Sequence, residues 1–271
     1  MVWFLRILFL AVFLTLAGCD GAGTQNPIWK DVKITDLAAT GNSDANSDDI
    51  RRLKTMDFAV YIFDIPADNI DKLEDLWRKL YAKPLRFNDY EAFSDNSFSI
   101  GFGQPQTREE IRGLLRAAGG RQIETISLLL SDDEPVDLTI SYLDKEQTVF
   151  YKPAGSSMEG ATLGPGTLSL RVKAKKLLQT RGVCDFKAQP VFTPPQSRYV
   201  RQMPDARVQG EYVFVFAEFG LCMAPGDFFV LGPAKYVPNQ ITLGGIFFSR
   251  PDTKPVPVAQ VFVFVCASVM D

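Results

Sequence analysis

Histidine is absent from this chain of 271 residues. Imidazole is the usual base for a nucleophilic serine or cysteine, a common metal ligand, and the side chain that exchanges protons near pH 7. The sequence therefore excludes Ser-His and Cys-His nucleophile pairs and His-ligated zinc. Carboxylate, Ser-Lys and Thr chemistries stay open, but no catalytic motif is recognisable, so we expect a protein that is not an enzyme.

Patterns typical of cofactor and nucleic-acid sites are missing as well. There is no GxGxxG or Walker sequence and no CxxC pair. The acidic run Asp132-Asp133-Glu134 lacks the alternating spacing of a calcium-binding loop. Lysine and arginine (29) are slightly outnumbered by aspartate and glutamate (32), and they form no basic run. We therefore expect no cofactor, no metal and no nucleic-acid partner.

Only one long apolar run is present, at residues 7–17. It is shorter than the roughly 20 residues that span a membrane as a helix, and it has the length of the apolar core of a signal peptide. The residues at its end resemble the lipobox of bacterial lipoproteins: Leu16, Ala17, Gly18 and Cys19.

The lipobox resemblance implies a signal peptide at 1–18, cleavage between Gly18 and Cys19, and a lipid anchor with palmitate on Cys19. It places the chain in the bacterial cell envelope, on the periplasmic face of a membrane. Asp20 resembles the inner-membrane retention signal of some Gram-negative bacteria and favours that membrane. An ordinary secretory signal or an uncleaved anchor is the alternative.

Three further cysteines, Cys184, Cys222 and Cys266, lie far apart in the sequence. An exported chain meets oxidising conditions, which allow one disulfide and leave one thiol. Three small buried residues are the alternative that we favour, because free cysteine is often buried. The spacing does not say which two would pair.

The remainder of the chain predicts a tether and two domains, giving an α+β fold. Residues 19–55 hold the lipidated cysteine and a flexible, polar tether. In 56–132, alternating apolar patterns and helical stripes follow one another as βαββαβ, the order of a ferredoxin-like domain. Predicted strands lie at 57–65, 85–89, 97–103 and 122–130. In 133–271, many short strands, including 240–249, predict an all-β sandwich or open barrel.

Phenylalanine is unusually frequent, with 21 residues, and many of them lie on the predicted C-terminal strands. If both faces of these strands are apolar, one face must be covered by the α+β domain or by another copy of the chain. The possible assembly surface is made by four residues: Phe228, Phe229, Phe247 and Phe248.

The same region resembles the C-terminal part of secretins, the ring-forming outer-membrane channels of secretion and pilus machines. Residues 226–232 (GDFFVLG) resemble the secretin pattern of a Gly-containing turn, an apolar strand and a glycine. Residues 243–248 (LGGIFF) are similar to the Leu-Gly-x-Leu-Phe segment that follows it, and the strand VFVFV is similar in character to the last strand. The resemblance implies a ring-forming or pore-associated envelope component.

Together these features predict a membrane-anchored envelope lipoprotein that works by binding or assembly. Self-association or a protein partner would then account for its action. Two alternatives stay open. One is an exported hydrolase that uses acidic residues facing each other in a cleft. The other is a lipoprotein that binds the cell wall or a ligand in a groove lined by aromatic side chains.

Overall fold

The computed structural model describes residues 54–195, 210–235, 242–250 and 257–270. Gly18, Cys19, the predicted signal peptide and nearly all of the predicted tether lie outside these ranges. None of the helices in the described ranges has the length and apolar content that a membrane span requires.

The described residues form mostly β-structure with a few short helices. In chain order the strands are β1 (Thr55–Pro66), β2 (Arg86–Phe87), β3 (Phe98–Gly103), β4 (Arg121–Ser131), β5 (Val136–Leu143), β6 (Gln147–Tyr151), β7 (Glu159–Leu163), β8 (Gly166–Lys176), β9 (Cys184–Thr193), β10 (Tyr212–Val213), β11 (Phe219–Met223), β12 (Phe228–Pro233), β13 (Ser249–Arg250) and β14 (Val258–Val269). The α-helices are α1 (Glu74–Lys79), α2 (Tyr90–Asp95), α3 (Arg108–Ala117) and α4 (Leu243–Phe248), and 3-10 helices span Ala67–Leu73, Pro105–Thr107 and Val215–Ala217.

Two open antiparallel sheets organise these strands. Sheet A has the order β3-β12-β14-β1-β4, with β13 paired to β14. Sheet B has the order β2-β11-β9-β8-β5, with β10 paired to β9. Strands β6 and β7 form a separate hairpin. The open sandwich expected for the C-terminal part is present, but its two sheets also contain β1 to β4.

Sheet A and sheet B face each other across a core of phenylalanine rings. Phe58 on β1 lies 5.1 Å from Phe186 on β9, measured between ring centroids. Phe229 stacks on Phe264 at 4.6 Å, and both belong to sheet A. Phe186 lies 5.3 Å from Phe229, so the rings of the two sheets interdigitate. This core holds the sandwich together by burying large apolar surfaces.

The opposite face of sheet A is covered by helices. Leu76 of α1 and Leu115 of α3 pack in a second apolar cluster with Val230, Val261 and Val263. All five side chains are buried. Sheet A is therefore the middle layer between helices and sheet B, and this explains why β1, β12 and β14 are apolar on both faces.

The ferredoxin-like domain is not confirmed, because its predicted strands separate. β1 does pair with β4, but its other neighbour is β14, far away in the sequence. β3 pairs with β12, and β2 pairs with β11 in sheet B. The described parts of 56–132 and 133–271 thus share both sheets and belong to one compact unit, Arg52–Asp271.

The segment 240–249, predicted as a strand, contains helix α4 instead. The Thr242 hydroxyl accepts a hydrogen bond from the Gly245 backbone N–H at 3.1 Å and caps the helix. Gly244 lies so close to the Asn96 carbonyl that an added Cβ would come within 2.4 Å of its oxygen. The glycine permits this approach, which places the apolar helix in the core.

The four phenylalanines of the predicted assembly surface are core residues. Phe228 lies on the helix side of sheet A and Phe229 on the sandwich side. Phe247 and Phe248 of α4 pack on Phe98 at 5.6 and 5.3 Å. All four are at most 1% exposed, so they offer no surface to another chain. The two apolar faces of sheet A are covered by sheet B and by helices of the same chain.

Truncation of Phe229 tests this core assignment. Phe229→Ala is expected to lower the free energy of unfolding by about 3–5 kcal/mol, because it leaves a cavity between the sheets. Tyr142→Ala is the matched control, since Tyr142 is 70% exposed, and should change it by less than about 0.5 kcal/mol. Urea unfolding of the full chain measures both, and equal small losses would contradict the burial of Phe229.

Candidate interaction surface

Strand β4 ends sheet A, and its second backbone edge points away from β1. No other strand of the described ranges pairs with this edge. Most side chains of β4 are exposed, and only Leu128 and Leu130 are buried in the sandwich core. The layered core therefore covers only some side chains of β4. In the described ranges, no strand pairs with the backbone donors and acceptors of its second edge.

The sequence of β4 explains both its position and its exposure. Leu128, Leu129 and Leu130 are consecutive, so the pleat must turn one of them away from the core. Leu129 is that residue and is 62% exposed. Natural proteins blunt free edges with charges or proline. The charges of β4 lie at its start, at Arg121 and Glu124, whereas 125–131 contains neither charge nor proline.

Two other sheet ends in the described ranges are covered or irregular. Tyr81 closes the outer edge of β3, because its backbone N–H donates to the Phe102 carbonyl at 2.8 Å and its carbonyl accepts from Phe102 at 2.9 Å. β5 carries a bulge between Thr139 and Ser141. The Ser141 hydroxyl also donates to the Ile246 carbonyl of α4 at 3.2 Å. β4 has a register shift of its own opposite Ile62 and Phe63, but its segment 125–131 pairs with β1 without a shift and is longer than β3 or either regular part of β5.

The outer face of sheet B is charged, and its ions are largely paired. The Arg171 guanidinium donates to both carboxylate oxygens of Asp137 at 2.7 Å, and to Glu211 at 3.0 Å. These hydrogen bonds, first to Asp137 and then to Glu211, raise the pKa of Arg171 above its already high ordinary value. The arginine is therefore a fixed cation between two carboxylates.

A second group of ions surrounds Asp133. Its carboxylate lies 3.2 Å from the Nζ atoms of both Lys173 and Lys175. Hydrogen bonds from these two lysines, reinforced by their charges, lower the pKa of Asp133 below its ordinary value. Lys173, Lys187 and Glu218 also line a cleft of about 310 Å³ on this face.

The hydrolase alternative requires a carboxyl group that holds a proton near neutral pH. The lysines around Asp133 have the opposite effect, because they favour its ionised form. In the described ranges no group of three or more His, Cys, Asp or Glu side chains is arranged to hold a metal ion. The hydrolase alternative stays a prediction that no observation on this face favours.

The ligand-binding alternative requires an open groove lined by aromatic rings. The Tyr151 ring stacks on Phe216 at 5.4 Å, and its hydroxyl lies 2.7 Å from that of Tyr212. Burial, followed by the hydrogen bond to Tyr212, raises the pKa of Tyr151. Tyr151 and Phe216 are less than 10% exposed. These rings therefore fill the protein rather than line a groove.

No family model matches the sequence, and no curated protein is significantly similar to it. Among solved structures, the InvG secretin domain β-barrel of the Salmonella SPI-1 injectisome is 11% identical, with a TM-score of 0.23 over 81% of this chain and 64% of that one. The V. cholerae type IV competence pilus secretin PilQ is 12% identical, with a TM-score of 0.26 over 81% of this chain and 62% of that one.

These matches are a distant structural resemblance to secretin domains. This chain covers less than two thirds of either secretin chain. Scores this low assign neither a family nor an activity to this chain. The free edge of β4 is inferred from this chain's own strand pairing and not from these matches.

The sequence-predicted site residues do not meet at one place. The four phenylalanines are divided between two core clusters, and Gly18 and Cys19 lie outside the described ranges. The free edge of β4 was not among the predicted sites. The run of three leucines at 128–130 was the signal that one apolar side chain would face outward.

The ion cluster on sheet B predicts the titration of Asp133. Its carboxyl should titrate below its ordinary pKa of 3.8. Any stability it contributes is therefore present above the unfolded-state pKa and is lost as the pH falls through the lower, folded-state value.

Carbon-13 NMR of the side-chain carboxyl follows this titration. Lys173→Met should move the pKa of Asp133 upward, and 1 M salt should have the same effect because it screens exposed charges. Lys145→Met serves as the control, since Lys145 makes no ion pair within the described ranges. An Asp133 pKa that Lys173→Met leaves unmoved would refute the pairing.

Proposed function

We propose that this chain is a cell-envelope lipoprotein without catalytic activity that works by assembly through the free edge of β4. The lipobox ending at Cys19 supports the anchor and the location. The uncharged segment 125–131 of β4, whose second edge pairs with no described strand and whose Leu129 is exposed, is the observation that carries the mode of action. A peptide strand added there would satisfy backbone groups that the described strands leave unpaired.

A second copy of the chain is the occupant that we propose. The edge of an antiparallel strand presents donors and acceptors alternately, so it is complementary to itself about a two-fold axis. Leu129, 62% exposed, would lose water contact when another strand lies beside it. A lipid on Cys19 would confine copies to one surface and raise their effective concentration.

The lipid anchor is tested on Cys19 itself. The mature chain should begin at Cys19, carry the added mass of a diacylglyceryl group and an acyl chain, and sediment with membranes. Cys19→Ser removes the acceptor thiol and should leave an uncleaved chain without that mass. Cys222→Ser is the matched control and should be processed normally. Intact-mass spectrometry of the membrane fraction decides between these outcomes.

A chain cleaved before Cys19 but carrying an unmodified thiol would contradict the anchor. It would favour the ordinary secretory signal. A chain that retains residues 1–18 would instead indicate the uncleaved anchor.

The assembly edge is tested by a charge on β4. Leu129→Lys should shift the full chain from a dimer or larger species to a monomer, because a charged side chain on an edge strand opposes its pairing with a second strand. Leu178→Lys is the matched control, since Leu178 is 86% exposed and lies outside the strands. Light scattering coupled to size exclusion in detergent gives the mass of the protein part.

A wild-type chain that stays monomeric at all concentrations would contradict self-assembly. So would an oligomer that survives Leu129→Lys unchanged. The wild type could instead be monomeric and bind another envelope protein in a manner that Leu129→Lys abolishes. That result would keep the edge of β4 as the binding site, with that protein rather than a second copy as its occupant.

A further inference from the structure

Two of the three cysteines in the described ranges face each other between the sheets. Cys184 begins β9 of sheet B and Cys266 lies near the end of β14 of sheet A, and both are fully buried. Cys266 is the register partner of Phe58, whose ring lies 5.1 Å from Phe186. Phe186 is two positions beyond Cys184, so it shares a strand face with it.

The two cysteines belong to the same apolar core cluster. The neighbouring Cys266 side chain, together with burial, raises the pKa of the Cys184 thiol. The Cys184 thiol also donates to the Met223 carbonyl at 3.6 Å. The pair therefore lies in the buried apolar core, where the protonated form of the Cys184 thiol is favoured.

Cys222 is on the other side of sheet B. Its register partner on β9 is Asp185, and directly paired residues point to the same face of a sheet. The Asp185 carboxylate pairs with Arg86 on the outer face. Cys222 thus points away from the sandwich and from the other two thiols.

We propose that Cys184 and Cys266 form a disulfide that joins sheet A to sheet B in the native protein. The sequence left the pairing of the three cysteines open, and the register and facing of the strands select this pair. The inference rests on the export in the proposed function, because disulfides persist in oxidising compartments.

The reaction is a thiol–disulfide exchange with a protein or small-molecule disulfide as the oxidant. One cysteine thiolate attacks the oxidant, forms a mixed disulfide and releases the first thiol. The second thiolate then displaces the other half of the oxidant and closes the Cys184–Cys266 bond. Two cysteines lose two electrons and two protons, and the oxidant gains them as two thiols. Because both thiols are buried in the folded protein, out of reach of an oxidant, the bond forms before the sheets close.

Refolding of the full chain tests the pairing. The chain is purified in detergent, reduced, unfolded, and refolded with glutathione disulfide, after which free thiols are alkylated in denaturant. Peptide mass mapping should give one bridge, Cys184 to Cys266, and an alkylated Cys222. The melting temperature of the bridged chain should fall by about 5–15 °C on reduction.

Matched variants keep the test decisive. Cys222→Ser should retain the bridge, whereas Cys184→Ser and Cys266→Ser should give none. The wild-type peptide map tests the pairing by itself, even if a variant fails to fold. Free Cys184 and Cys266 after refolding, or a bridge that includes Cys222, would overturn the inference.

Acid trapping of intact cells, followed by alkylation, separates this inference from the proposed function. The native chain should carry the bridge and the lipid together. A lipidated chain with both thiols reduced would overturn the disulfide and leave the proposed function standing. A bridged chain without lipid would support the disulfide and contradict the anchor.

Discussion

The structure depends on the need to cover both faces of one apolar strand. Residues 258–266 of β14 are all buried, on both sides of the pleat. Such a strand is stable only as part of a middle layer, with apolar groups above and below it. The chain supplies α1 and α3 on one side and sheet B on the other, and the remaining elements are arranged around this requirement.

The layering also determines where the protein is left open. The helices cluster with β12 and β14 at the centre of sheet A, and the aromatic core lies beneath them. β4 lies at the end of the sheet and contributes only alternate side chains to the core. Its outer backbone edge and Leu129 therefore remain available, and the proposed assembly uses what the intramolecular core does not cover.

Local pattern predicted much of the local structure. Strand 57–65 falls within β1, 122–130 within β4, and 97–103 nearly coincides with β3. Alternation and length are properties of a segment and its neighbours, so the sequence carries them directly. The pairing of β1 with β14 is different, because nothing in either segment specifies a partner about 200 residues away. The ferredoxin-like domain is not confirmed for that reason.

For the site residues too, the sequence predicted local character but not the packing with distant parts of the chain. The strand that carries Phe228 and Phe229 is apolar on both faces, which the sequence indicated only as a condition. A surplus of apolar residues does not say whether the cover is a helix or another chain. The segment 243–248 has the composition of a strand, yet the Thr242 cap and the space at Gly244 make it a helix. Leu129 becomes recognisable as exposed only once the register of β4 is known.

Amide hydrogen exchange of the full chain, recorded at several protein concentrations, tests the account most directly. The β14 amides should exchange only when the whole compact unit unfolds, at every concentration. The outward-pointing amides of β4 should exchange rapidly in dilute protein and become protected as the concentration rises. Amides of β4 that are protected equally at all concentrations, or β14 amides that exchange as fast as those of β4, would contradict it.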